Sequence, residues 1–250
     1  MPLAGRLRRT ARQLRELSLD TAFNARVLAR LRRREHVLCI GDSHVAVMSQ
    51  VRLRHAWFLP MALQGATASG ILNPQSRTSS LQRFDDRLAR SRPWQHVLIE
   101  LGEVDCGFLI WHRARRLDIP VEEQLSSTLD AYAGFIERVA ALHLASVSVM
   151  SVPLPTIGDD PELWGEVANM RKTVAVSQAQ RTALTLRFNA ELEQRCAALG
   201  IPFVDVTSGH LDAATGLVDA RFLRATHNDH HLADGPFADL IASRLADRFG

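Results

Sequence analysis

Two apolar rhythms alternate along the chain. Residues 36–41 (HVLCIG), 96–101 (HVLIEL), 146–152 (SVSVMSV) and 201–206 (IPFVDV) are short, rich in aliphatic and β-branched side chains, and stopped by glycine, proline or acids. Runs too short for helices and apolar on both sides of the backbone read as strands buried on both faces of a parallel sheet. Residues 55–63 (HAWFLPMAL) make a further strand, and Pro60, which has no N–H to give to a ladder, puts it at an edge or at a strand end. Helical spacing fills the intervals. It is carried by Leu81, Phe84 and Leu88 in 80–91, by Leu125, Leu129, Tyr132, Phe135, Ile136, Val139 and Leu142 in 121–144, by 173–199 up to a closing Gly200, and by 235–248. Residues 45–53 suit one more helix, with Asp42 or Ser43 as its N-cap. Strands alternating with helices predict an α/β fold: a three-layer α/β/α sandwich around a five-stranded, mostly parallel sheet. Two connections stand out. Residues 64–70 are small and flexible, and residues 156–172 form a long irregular stretch of the kind that makes lids and binding loops.

The start of the chain breaks this pattern. Residues 2–34 place leucines at roughly helical spacing among many arginines. The organisation read from this is a basic helical extension over 1–35 and a single domain over 36–250. The extension is read as a lead-in that packs on the domain or joins it to another module, with a basic amphipathic helix for an anionic surface or partner, such as peripheral contact to a membrane, as the competing reading.

Charge and composition narrow the partners. At 250 residues and 46% hydrophobic, the chain is long enough to bury a full core. The net charge is only +3, and the basic residues are arginines apart from Lys172, so no nucleic-acid partner is indicated. Cys39, Cys106 and Cys196 are odd in number and far apart, which argues against a disulfide framework or a zinc site and for a reducing, cytoplasmic setting. No apolar segment follows the basic start as in a secretory leader, and no run reaches the roughly 18 apolar residues of a membrane span.

The candidate chemistry sits where strands end. Residues 41–44 (GDSH) follow the first strand directly, which places the Ser43 hydroxyl at the carboxyl end of a parallel strand, where open α/β sheets hold ligands. Residues 102–107 (GEVDCG) end the third strand in the same way. Near the end of the chain His227, Asp229, His230 and His231 fall within five residues. A serine needs a base to take its proton, and the base needs an acceptor on its other nitrogen, so one histidine with a neighbouring acid from this loop would serve Ser43. A metal site and a surface histidine loop are the other readings of the cluster.

Taken together, these blocks resemble those of the SGNH, or GDSL-like, hydrolases. The resemblance rests on Gly41-Asp42-Ser43-His44, on Gly65 in the loop after the second strand, on Gly102-Glu103-Val104-Asp105, and on the C-terminal acid–histidine loop before a helix. It implies a flavodoxin-like fold and a serine esterase without cofactor or metal. Ser43 would be the nucleophile, His231 the base and Asp229 its acid, and the backbone N–H groups of Ser43 and Gly65 would form the oxyanion hole. Asp42, His44, Gly102, Glu103, Asp105, Asn228 and His230 would line the substrate pocket. Two departures follow. Val104 stands where the family has an oxyanion-hole asparagine. The family's usual acid position, three residues before His231, is Asn228, so that either Asp229 serves with a shifted geometry, or Asn228 orients the imidazole, or His230 is the base. The GExDC form of the third block resembles a branch associated with polysaccharides. The implied substrate is a small-molecule or carbohydrate ester. Acyl transfer to a sugar, and a non-catalytic carbohydrate-binding module, are the alternatives.

Overall fold

The structure is a computed structural model and describes residues 34–93, 95–159, 174–225 and 229–249. The N-terminal extension, Trp94, most of the irregular 156–172 connection, His227 and Asn228 therefore lie outside the described residues.

Why the strand segments pair is visible in their side chains. In β1 (Glu35–Gly41), Leu38 and Ile40 pack into one apolar cluster while Val37 and Cys39 pack into another on the opposite side. An alternating strand with both faces apolar must be covered twice. β2 is Ala56–Ala62, β3 His96–Glu100, β4 Ser146–Met150 and β5 Phe203–Val204, in the spatial order β2-β1-β3-β4-β5. β1 with β3, β3 with β4, and β4 with β5 are parallel. Pro60 does lie on an edge strand.

One face is covered by α1 (Ser80–Leu88), α2 (Ile110–Leu117), α3 (Val121–Ala140) and α4 (Gln178–Ala198). Leu125, Leu129, Tyr132 and Ile136 of α3, and Leu184, Phe188, Leu192 and Cys196 of α4, are buried at helical spacing. The other face is covered by the segment after β1 and by α5 (Asp234–Phe249), through Phe237, Ile241, Leu245 and Phe249. The result is the expected three-layer α/β/α sandwich. Its strand order reverses between β1 and β3, and that is the switch point where such sheets hold ligands.

Four local expectations need correction. The segment after β1 is a 3-10 turn, Ser43–Ser49, and not a helix over 45–53. A three-residue period stacks Val45 and Met48, both buried, on one side. α4 begins at Gln178, where Ser177 and Gln180 form a capping box, five residues later than the periodicity suggested. A π-helical turn, Asp105–Leu109, leads into α2, which the apolar pattern alone did not reveal because three arginines interrupt it. β5 is only two residues long, shorter than the 201–206 run, and a small antiparallel hairpin of β6 (Leu211–Asp212) and β7 (Leu217–Val218) follows it.

Candidate active site

The end of β1 is fixed by backbone proximity. Leu63 N–H donates to the Gly41 carbonyl at 2.9 Å, and Asp42 N–H donates to the Glu100 carbonyl at 3.3 Å. A Cβ on Gly41 would stand 1.9 Å from that Glu100 oxygen, so only glycine fits there. The chain then turns sharply. Asp42 caps the 3-10 turn, its Oδ1 accepting the His44 backbone N–H at 2.9 Å. Ser43 is thus held half-buried at the carboxyl end of β1, beside the switch point.

The loop before α5 meets it from the far end of the sequence. His231 Nε2 lies 3.0 Å from Ser43 Oγ. On the other side of the ring, Nδ1 lies 2.8 Å from Asp229 Oδ1, which also accepts the His231 backbone N–H at 2.9 Å. A carboxylate at Nδ1 demands the proton there and leaves Nε2 free to accept from the serine hydroxyl. The two-residue spacing between Asp229 and His231 works because the acid folds back on its own loop. Asp229 Oδ2 pairs with Arg224 Nη1, Arg224 Nη2 pairs with Asp234, and Arg224 Nε donates to the Leu232 carbonyl at 3.0 Å. Thr156 Oγ1 ties the Asp229 carbonyl to the loop after β4 at 3.1 Å. Partial burial pushes the Asp229 carboxyl up, but donors from His231 and Arg224 outweigh it and bring it down to about 2. His231 is held below the ordinary histidine range, first by burial and then by the charge of His44, with Asp229 opposing.

The remaining predicted positions divide sharply. Ser43, His44 and His231 line a cleft of about 420 Å³, together with Gln50, Gln64, Arg224, Asp234 and the apolar Val47, Leu232 and Phe237. Asp42, Glu103 and Asp105 do not line it. They are 0%, 2% and 0% exposed, and so support the site from within instead of facing a substrate. Asp105 accepts the N–H groups of Ala68 at 2.7 Å and Ser69 at 3.2 Å, clamping the loop that begins at Gly65. Burial pushes its carboxyl up to about 6 against the pull of these donors. Gly65 sits at φ +72° in that loop, just after Leu63 is tied to Gly41. Gly102, at φ +135°, is buried too, and a Cβ there would stand 2.8 Å from Val152 Cγ2, which makes it a packing residue and not a pocket residue. Val104 lies at the start of the π-helical turn and not among the cleft-lining residues. Trp111 donates its Nε1–H to the Cys106 carbonyl at 2.9 Å, away from the cleft. His230 lies beside His231, with ring centroids 3.9 Å apart and planes tilted by 41°, and offers its backbone carbonyl to His44 Nε2 at 3.2 Å.

Sequence reasoning missed Glu100. It ends β3, is fully buried, and sits with Asp42, His44 and Glu103 beneath the serine turn. Burial, and then the Asp42 charge, push its carboxyl well above the usual range. Reading residues 96–101 as an apolar strand concealed it. Arg224, Gln50 and Asp234 were also unforeseen, because nothing in the spacing of an isolated arginine marks it as a brace.

No model of a known protein family matches the chain, and no curated protein matches it in sequence. Solved structures match it in shape. A GDSL-like lipase from Bacteroides thetaiotaomicron superposes with a TM-score of 0.56 at 15% identity, covering 86% of this chain and 87% of that one. An inhibitor-bound aryl esterase from M. smegmatis gives 0.54 at 15%, covering 85% and 97%. A carbohydrate acetylesterase from Sinorhizobium meliloti gives 0.54 at 14%, covering 86% and 98%. The chain has the α/β fold of these GDSL-like hydrolases.

Proposed function

We propose that the chain is a serine esterase of the SGNH, or GDSL-like, type. The observation that carries this is the relay Ser43 Oγ, His231 Nε2, His231 Nδ1, Asp229 Oδ1, with contacts of 3.0 and 2.8 Å in the only order that works for a general base. In this reading the Ser43 oxygen attacks the ester carbonyl as its proton passes to His231 Nε2. The proton then goes to the leaving alcohol, and an acyl-serine remains. Water repeats the sequence in reverse, and releases the acid. The backbone N–H groups of Ser43 and Gly65 bind the oxyanion, the latter through the loop that Asp105 clamps.

The cleft supports a small acyl group carried on a polar alcohol, such as an O-acylated carbohydrate. Its walls join a few apolar side chains to an amide, carboxylate and guanidinium rim in which Gln50 Nε2 donates to Asp234 at 3.0 Å. The acetylesterase likeness and the GExDC block point the same way. Transfer to a second sugar hydroxyl would use the same steps with an alcohol in place of water, and product analysis separates the two. Buried, free Cys39, Cys106 and Cys196 support a reducing, cytoplasmic setting. No helix among the described residues is long and apolar enough to cross a membrane.

The test is hydrolysis of nitrophenyl acetate by the full chain and by Ser43→Ala. Turnover that vanishes in the variant, together with labelling of Ser43 by a serine-directed phosphonate, supports the reading. A wild-type chain that neither turns over nor labels removes it.

A further inference from the structure

The ester chemistry leaves His44 without a task, yet its ring is held at both nitrogens next to Ser43. It is 5% exposed. Its Nδ1 lies 2.9 Å from Asp42 Oδ1, and its Nε2 lies 3.2 Å from the His230 carbonyl oxygen. Both neighbours are acceptors. A neutral imidazole has one N–H and satisfies only one of them, whereas an imidazolium satisfies both. The same chain shows the contrasting arrangement. His210, also fully buried, faces the Val206 carbonyl through Nδ1 and accepts the Leu154 N–H through Nε2, which is the environment of a neutral ring.

The surroundings favour charge on His44. Asp42, Glu100 and Glu103 face it from the ends of β1 and β3. Asp42 Oδ2 and both oxygens of Glu100 are buried without a hydrogen-bond partner among the described residues, and the His44 ring is held directly against one of these acids, Asp42. Burial alone would push the imidazole down, but Asp42, then Glu103 and Glu100, carry it up to about 10. Across the gap stands His231, its ring centroid 4.7 Å from that of His44, with His230 beside it and Asp229, Arg224 and Asp234 behind.

We propose that His44 is a positioning residue, a resident imidazolium that staples the loop carrying His231 to the turn carrying Ser43 and disfavours a second proton on His231. The staple runs from Asp42 through the His44 ring to the His230 carbonyl, next to a base that is 188 residues from its serine in sequence. The fixed charge faces the ring that must be unprotonated to act, so the base stays competent into mildly acidic solution. This rests on the reading of Ser43 and His231 as nucleophile and base.

The variant His44→Gln keeps an amide donor for the His230 carbonyl and removes the charge. Two readouts apply: titration of the histidine rings by NMR, and the pH profile of kcat/KM on nitrophenyl acetate. Wild-type His44 should stay doubly protonated from about pH 5 to about pH 9. In His44→Gln the His231 titration and the acidic limb of the profile should move upward together by about one pH unit, as for a lost unit charge in contact range. A neutral His44 ring at pH near 7 in the wild-type chain would overturn the proposal, and so would an unmoved His231 titration in the variant. If the variant does not fold, the wild-type ring spectrum decides alone. Ring titration needs no turnover, so a chain that shows the His231 shift but hydrolyses no ester would sink the esterase reading and not the electrostatic one.

Discussion

Asp229 is where the site can be tested most sharply, because one oxygen serves His231 and the other serves Arg224. Oδ1 accepts the His231 backbone N–H at 2.9 Å and Nδ1–H at 2.8 Å, while Oδ2 takes Arg224 Nη1. Asp229→Asn keeps the size and forces a choice. If the amide oxygen faces His231, the NH₂ is driven against the Arg224 guanidinium, donor against donor. If the oxygen faces Arg224, the NH₂ faces Nδ1 and the His231 backbone N–H, which loses its acceptor, and His231 must carry its proton on Nε2, aimed at Ser43 and unable to accept. A guanidinium makes the first choice the costlier, so the wrong tautomer should prevail. The expected loss is roughly 10³- to 10⁴-fold in kcat, or about 4–5.5 kcal/mol of barrier, with KM little changed. Adding Arg224→Gln should free the amide to turn and recover at least about tenfold of that loss. Stability should fall less. The carboxyl is held at about 2, below its ordinary value, so its contribution is present above about pH 4 and disappears as pH falls through about 2. Screening at a partly solvated rim leaves this at about 1–2 kcal/mol. The assay is kcat and KM on nitrophenyl acetate at saturating and limiting substrate, with thermal unfolding of each variant alongside. Asp229→Asn retaining activity within about tenfold of wild type would refute the reasoning, since a group that fixes the tautomer cannot be so lightly replaced.

Two further outcomes follow from burial. His210 is pushed down to about 4 by burial, so the unfolded chain takes up its proton first; the contribution is complete above about pH 6.5, is lost as pH falls through about 4, and amounts to about 3 kcal/mol. Urea midpoints at about pH 7 and about pH 4.5 should separate widely in the wild type and less in His210→Gln, and equal separations would count against it. Asp105→Ala strips two N–H groups, of Ala68 and Ser69, of their acceptor, and should cost about 2–5 kcal/mol in denaturant unfolding. It should also lower kcat by loosening the Gly65 loop, and an unchanged kcat in a folded variant would show that this loop does not serve the oxyanion.

Much of the architecture was legible because burial on both faces leaves a strong mark on sequence. The runs around Leu38, Leu98 and Val149 had to be strands, and the glycines after two of them placed their ends within a residue or so. Pro60 located an edge for a purely chemical reason, its missing N–H. What stayed hidden depended on contacts between distant segments. The π-helical turn and α2 carry a narrow apolar stripe, Ile110 and Ala114, within a run dense in arginine. Asp42, Glu103 and Asp105 looked like pocket acids because each follows a strand end. Only the structure shows that all three point inward, two of them into a cluster with Glu100 and the third onto a loop. Ser43, His231 and Asp229 were nameable from motif and residue type, but that an acid two residues from its histidine folds back onto the ring is a fact of the Arg224 brace.

The distance in sequence between Ser43 and His231 also bears on how the protein is made. Ser43 lies near the start of the α/β domain, and His231, whose Nε2 it meets, lies 188 residues later, on the loop that leads into α5. During synthesis the first strands and their crossovers emerge and begin to pair well before that loop exists, since domains assemble as the chain lengthens at about 5–20 residues per second. A contact of such long range is also among the last to form, because its closure entropy is repaid only once the intervening sheet is in place. The hydroxyl beside Gly41 therefore spends the whole of assembly as an ordinary serine. It gains a proton acceptor only when the last helix seats, so a stalled or partly folded chain carries the motif and none of the relay.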